Sequence, residues 1–257
     1  GWLLGLLVLG AWFTIASAAS KRELLVSAAI SLRDPLQEIG VLFEQRHPEV
    51  KVVFNWGASG ALQQQIEYGA PVDVYASAAS KQMDELEAKG LLLNETRRTL
   101  AANLLVLITS STLRSGLTSF KDLTKSEVKL IAIGNPRTVP AGEYAQRILM
   151  SLGLWDSLQA KLIFTGSVRQ ALAYVVRGEV EAAVVYATDA QSADRAVQVV
   201  SVAPEGSHPP ALYPIAVVKT SKHSQEARAF VDLALSEAGQ QILRAHGFLP
   251  PPKTLAR

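Results

Sequence analysis

The chain contains no cysteine. Disulfides, thiolate nucleophiles, thiolate-ligated metals, iron–sulfur clusters and a lipid-bearing cysteine are all excluded by that absence. Strong charge of one sign is also missing: 25 Lys and Arg face 23 Asp and Glu, a formal net charge of +2, with the basic residues dispersed rather than gathered into a stripe with aromatics. Nucleic acid is therefore not an expected partner. Histidine is sparse. His47, His208, His223 and His246 stand far apart, and none has the spacing of a metal-binding pair. No repeat of solenoid period and no low-complexity tract interrupts the chain.

A long apolar run occurs once, at the start. Residues 1–20 carry no charge, and a thirteen-residue apolar stretch over 3–15 is followed by the small residues Ala16, Ser17, Ala18, Ala19 and Ser20. The stretch is shorter than the roughly 20 residues a membrane-spanning helix needs, and Ala16-Ser17-Ala18 has the small-x-small form of a cleavage site. The expectation is a signal peptide over 1–18 and a free periplasmic protein.

The remainder is ordinary globular sequence, with 49% hydrophobic residues in a total of 257. A chain of this size buries about 70–75% of its unfolded surface, and single cores of this size begin to divide. Strand patterns at 24–30, 50–54 and 72–76 alternate with helix patterns at 32–45, 61–67 and 81–88. After a strand at 103–109 the alternation restarts, with strands at 130–133, 162–164 and 182–185 and helices at 120–123, 141–152 and 168–177. Further strands are expected at 197–202 and 213–218, then one or two helices over 225–245. Alternation of this kind implies α/β architecture with mostly parallel sheets flanked by helices. The Pro-rich stretch 203–210 interrupts both periodicities and reads as a crossing segment. The expected organisation is one lobe of 19–102 plus 204–257, a second lobe of 103–203, and hinges near 101–104 and 203–210.

Four strand-to-helix junctions present small or hydroxyl residues where a helix begins: Ser31, Ser59, Pro140-Ala141-Gly142 and Ser167-Val168. All follow the carboxyl end of a strand, the edge at which open α/β sheets bind ligands. The first turn of a helix offers N–H groups without intrahelical partners and a partial positive charge, which together hold an anion without Lys or Arg. Plain N-capping would account for any one of Ser31, Ser59 and Ser167. Ala141 and Val168 cannot cap through a side chain, so their amides stay available, and Gly57, Gly60 and Gly142 are read as lightening the backbone for close ligand approach. Tyr186, ending the strand AAVVY, adds a phenol at the same edge; a half-buried structural tyrosine is the competing reading. Asp189 reads as a helix cap, Trp56 as packing in preference to shielding the cleft, and the mixed-charge run 121–129 as a solvated face.

The segments VSAAISL (26–32), GASGALQQQI (57–66), GAPVDVYASA (69–78), VPAGEYA (139–145), SVRQAL (167–172) and VVYATDA (184–190) resemble the periplasmic molybdate-binding proteins of ABC transporters. The likeness runs in order from about residue 23 to 248. It implies a two-lobed type II periplasmic binding fold with the ligand cleft between the lobes. It also implies a binding protein rather than an enzyme, without cofactor, which captures molybdate or tungstate and delivers it to a membrane permease. The implied shell is the hydroxyls and amides of Ser31 and Ser59, the amides of Ala141 and Val168, and the hydroxyl of Tyr186. Molybdenum is then held only as its oxyanion, with no protein ligand to the metal, and the protein is expected to be a monomer. One departure is Ala58, where some relatives carry a second serine.

About seven hydrogen bonds to a charged acceptor, at roughly 1.5–3 kcal/mol each, give about 10–20 kcal/mol gross. Micromolar binding needs about 8 kcal/mol net of association costs of about 4 or more, so the donors must be held in place beforehand. A shell of donors alone disfavours protonated phosphate, whose O–H would be buried without an acceptor at a cost of about 1–3 kcal/mol. Sulfate or another tetrahedral oxyanion is the rival ligand, separated by cavity size. A secreted serine hydrolase using Ser59 is the rival class, although Gly57-Ala58-Ser59-Gly60 lacks the spacing of a nucleophile elbow.

Overall fold

A computed structural model describes residues 21–112 and 116–252; the expected signal segment 1–18 lies outside them. Two five-stranded sheets organise the chain. The first three strands, β1 (Arg22–Ala29), β2 (Val50–Gly57) and β3 (Val74–Ala76), alternate with α1 (Arg33–Arg46), α2 (Ser59–Glu67) and α3 (Ser80–Ala88). β4 (Arg98–Asn103) closes this part, and after one residue β5 (Leu105–Ser110) begins the other sheet. There β6 (Ile131–Gly134), α4 (Pro140–Ser151), the short α5 (Trp155–Leu158), β7 (Leu162–Thr165), α6 (Val168–Val176), β8 (Ala182–Tyr186) and the short α7 (Ala187–Ser192) repeat the alternation before β9 (Val197–Val202). The chain then returns through β10 (Ala211–Val217) to the first sheet and ends in α8 (Ser224–Leu235) and α9 (Glu237–Ala245).

The strand orders are β2-β1-β3-β10-β4 and β7-β6-β8-β5-β9. Each sheet is thus mixed. β1 runs parallel to β2 and β3, and β6 parallel to β7 and β8, whereas the crossing strands β10, β4, β5 and β9 pair antiparallel. The sequence pattern led to mostly parallel sheets because strands such as LVLITS and ALYPIAV, covered on both faces, lose the polar alternation that marks a one-sided antiparallel strand. β5, β8 and β10 are buried along their whole length. Pro214, which cannot donate to a ladder, fits inside β10 because the register against β4 shifts between Tyr213 and Pro214.

Helices cover the sheets as their apolar spacing requires. Leu36, Ile39 and Phe43 of α1 are fully buried, and Phe43 meets Phe230 of α8 edge-on at 5.4 Å between ring centroids. The pattern over 225–245 resolves into two helices because Ser236 caps α9, accepting the Gly239 N–H. A second, smaller apolar cluster of Leu62, Ile66, Met83 and Leu86 seats α2 and α3 against the first sheet. Trp56 stacks on Phe54 at 4.6 Å, a packing role.

Candidate functional site

The junctions singled out in the sequence converge. Ser31 follows β1 in a single 3-10 turn (Ile30–Leu32), Ser59 is the first residue of α2 after β2, and Ala141 is the second of α4 after β6. Val168 is the first residue of α6 after β7, and Tyr186 ends β8. All five line one small cavity, together with Gly57, Ala78 and Pro140 among others, and no Lys or Arg is among the described residues around it. Both sheets present strand carboxyl ends to it, in the matching orders β2-β1-β3 and β7-β6-β8. The cavity is small, about 10 Å³. A larger concavity of about 740 Å³ lies along Lys81, Arg137, Arg147 and Met150. It is an open groove walled by long side chains, and none of the five lines it.

First-turn amides supply donors. Ser59 and Val168 at the first helical position and Ala141 at the second have no intrahelical acceptor for their N–H groups. Neighbouring amides are committed elsewhere: Gly60 N–H to Thr138 C=O at 3.0 Å, Gly142 N–H to Val139 C=O at 2.9 Å, and Gln170 N–H to Ser167 Oγ at 3.2 Å. Ser167 is thus a plain N-cap. Ser31 and Ser59 are not. Ser59 Oγ accepts the Ala78 N–H at 3.0 Å, which uses a lone pair and leaves its own proton free, and Tyr75 Oη donates to Ser59 C=O at 2.8 Å. Ser31 Oγ lies 3.2 Å from Tyr213 Oη.

Tyr186 is fully buried, and its hydroxyl donates to Ala78 C=O at 3.0 Å. Burial pushes its pKa well above the usual tyrosine range, with the nearby Tyr213, Tyr144 and Asp189 adding to the rise, so the phenol keeps its proton. Having one proton, it serves either Ala78 or a guest.

Asp189 is not the helix cap expected of it. Tyr186 occupies that position, and Asp189 lies inside the first turn of α7, fully buried, with Oδ1 2.7 Å from Arg169 Nε. Burial pushes its carboxyl up to about 6 while Arg169 pulls the other way. It is not among the residues lining the cavity, so the lining stays free of carboxylate. Arg169 reaches across to Asp34 of α1 at 2.9 Å, Lys81 of α3 to Glu143 of α4 at 3.3 Å, and with the Gly60 and Tyr186 bonds these contacts close the two halves on the cavity.

The glycines have another reason than the one read from sequence. A Cβ on Gly60 would meet the Thr138 carbonyl oxygen at 2.7 Å, and one on Gly142 the Gly134 carbonyl oxygen at 1.9 Å. Gly60 lets the halves touch and Gly142 lets α4 press on β6. Gly57, which does line the cavity, would meet the Leu62 side chain at 3.0 Å.

Sequence reading missed Ala78, which orients both Ser59 and Tyr186, although it closes the quoted run GAPVDVYASA. It also missed Tyr213 and Asn103. The histidines lie elsewhere: His47 stacks on Phe43, His246 pairs with Glu38 and His208 tilts against Tyr144. Among the described residues no group of three His, Cys, Asp or Glu is placed to hold a metal ion.

The model of the family described as bacterial extracellular solute-binding protein matches residues 24–249. The chain is 36% identical over 249 residues to the molybdate-binding protein ModA of Haemophilus influenzae, covering 95% of each. It is 38% identical to a putative ABC transporter substrate-binding lipoprotein of Bacillus subtilis, covering 95% of this chain and 93% of that one. The structure superposes on the periplasmic molybdate-binding protein of Azotobacter vinelandii with a TM-score of 0.79 at 27% identity, covering 89% of this chain and all of that one.

Proposed function

The chain belongs to the bacterial extracellular solute-binding protein family, and from that premise we propose that it captures molybdate, with tungstate as a close mimic, and hands it to the membrane permease of an ABC transporter. One observation carries the reading: Ser31, Ser59, Ala141, Val168 and Tyr186, drawn from strand ends of both sheets, line a single small cavity with no charged side chain in its lining. In this reading four donors come from the first lobe, two hydroxyls and two amides, and three from the second. Neither half-shell suffices. Binding therefore favours the closed arrangement by the ligand's differential affinity for it, and the closed form is what the permease recognises.

The lobes are assigned as 19–102 plus 204–257 and 103–203, with hinges where the chain passes between sheets. A signal segment over 1–18 delivers the protein to the periplasm, where it acts as a monomer. Neutral donors suit the guest. A proton-free dianion accepts from every one of them, and a protonated anion brings a hydrogen for which the lining has no carboxylate. A hydrolase reading finds no support at Ser59, whose hydroxyl is hydrogen-bonded to the Ala78 amide rather than to an imidazole or carboxylate. Calorimetric titration with molybdate, tungstate, sulfate and phosphate tests the proposal. The expected result is tight binding of the first two and weak binding of the others; sulfate bound as tightly as molybdate overturns the choice of ligand.

A further inference from the structure

Beside the anion cavity lies a second, larger one of about 160 Å³, and Ser31 borders both. Its walls come from the two halves, Asp34 and His246 on one side and Arg169 and Gln191 on the other. Arg169 is the second residue of α6, directly after Val168, in a first turn whose partial positive charge disfavours a cation. Two carboxylates from other helices hold it there. Nε lies 2.7 Å from Oδ1 of Asp189, which is fully buried on α7 of the same half and has no other cation among the described ion pairs. Nη2 donates to Asp34 Oδ2 at 2.9 Å, and Asp34 stands on α1 of the opposite half with 40% of its side chain exposed.

The two carboxylates are not equivalent. A carboxylate left unpaired in the interior is costly, so Asp189 keeps its guanidinium in any arrangement of the halves. Asp34 reaches water and can let go at little cost. The Asp34 arm is thus the one that forms as the halves meet.

We propose that Arg169 is a positioning residue and Asp34 its catch: kept in place by Asp189, the guanidinium takes hold of Asp34 when the halves close, steadies the turn that presents the Val168 amide and slows release of the guest without touching it. The proposal rests on the oxyanion reading of the site and adds to it a determinant of release that lies outside the lining. Charge separates it from a plain field effect. Asp34 is a negative group one cavity away from a bound anion, so through the field alone its removal would tighten binding. Loss of a catch weakens binding, and the two signs are opposite.

Asp34→Ala removes both the charge and the acceptor. Molybdate affinity is measured by calorimetry at about pH 8, where Asp189 stays ionised, and release by chasing bound radiolabelled molybdate with an excess of the unlabelled ion. A partly exposed ion pair is worth up to about fivefold in an equilibrium, so the expected loss of affinity is about threefold, all of it in faster release. An affinity within about 1.5-fold of the unmodified protein, or a higher one, overturns the proposal, and so does a loss that lies in slower association. A purely structural role for Asp34 in the first turn of α1 would lower the melting temperature with and without anion alike and leave the release rate where it was. Arg169→Lys supplies the second arm of the test. It keeps the positive charge but not the planar fork, and the buried Asp189 claims the single ammonium. Asp34→Ala placed on that background should cost less than about 1.5-fold; an undiminished threefold loss there means that Arg169 is not the partner, and the proposal falls. If Arg169→Lys does not fold, Asp34→Ala decides alone. Should the unmodified protein bind no molybdate, it is the oxyanion reading that fails, and the proposal with it.

Discussion

Tyr186→Phe removes one oxygen from the centre of the closed protein, and the structure gives its consequence a size. In the structure the hydroxyl spends its one proton on Ala78 C=O at 3.0 Å. To serve an anion it must leave that carbonyl, so its net contribution to binding is a difference. A hydrogen bond to a charged acceptor is worth roughly 1.5–3 kcal/mol and one to a neutral acceptor roughly 0.5–1.5 kcal/mol, which leaves about 1–1.5 kcal/mol. The expected loss of molybdate affinity is therefore about five- to twelvefold, well short of the hundredfold a full charged bond can carry. Stability responds separately. Without the hydroxyl, Ala78 C=O is left in a buried site without this partner, at about 1–3 kcal/mol, and because the bond joins the two lobes the closed arrangement bears the cost. Isothermal titration gives the affinity, and a melt without anion confirms that the variant folds. An unchanged affinity would mean that Tyr186 stays with Ala78 and is no part of the shell. A loss beyond about a hundredfold would refute the one-proton argument, since nothing would then have been exchanged.

Gly60→Ala places a methyl 2.7 Å from the Thr138 carbonyl oxygen, backbone against backbone across the cleft. Alanine is also the better helix former by about 1 kcal/mol. The anion-free protein should hold or raise its melting temperature while molybdate affinity falls by about tenfold or more; retained affinity would show that the lobes need not touch there. Asp189 sets a pH dependence of opposite sense to that of an exposed, ion-paired carboxylate. Its pKa in the folded protein, about 6, lies above the unfolded value near 3.8, so the proton is bound more tightly when folded. Its contribution favours folding fully below about pH 4 and is withdrawn as pH rises through 6, about 3 kcal/mol in all. Denaturant unfolding at about pH 5 and pH 7.5 should show this term vanish in Asp189→Asn, and an identical pH slope in that variant would contradict it.

The candidate shell was legible because strand-to-helix junctions leave a local signature: a hydrophobic run, a small residue, then a helical pattern. Ser31, Ser59, Ala141 and Val168 each sit at such a signature, and all of them line the cavity. β4 was not legible. RTLAAN has neither alternation nor a β-branched run, and its strand conformation comes from pairing with β10, over a hundred residues away in sequence. The partners behind Ser31 were hidden for the same reason. Ser31 and Tyr213 are separated by 182 positions and Asn103 and Thr188 by 85, so no window of sequence holds both partners. Asp189 was misread as a cap because its partner Arg169 lies on another helix, and the burial that raises its pKa is a property of the packed lobe. Gly60 and Gly142 were seen as important, but what they approach is backbone, which only the assembled fold brings near.

The two passages between the sheets differ in length. One is Leu104 alone, with its amide tied to Asn103 and its carbonyl receiving the Ala187 N–H at 2.9 Å; the other spans 203–210, turns at Gly206 and rests His208 on Tyr144. A door hung on one short pin and one long strap swings about the pin. In the proposed two-lobed arrangement a small rotation at Leu104 that keeps the Asn103 bond moves the far rim of a lobe by much more, so a partner that pulls on the rim has leverage over the cleft.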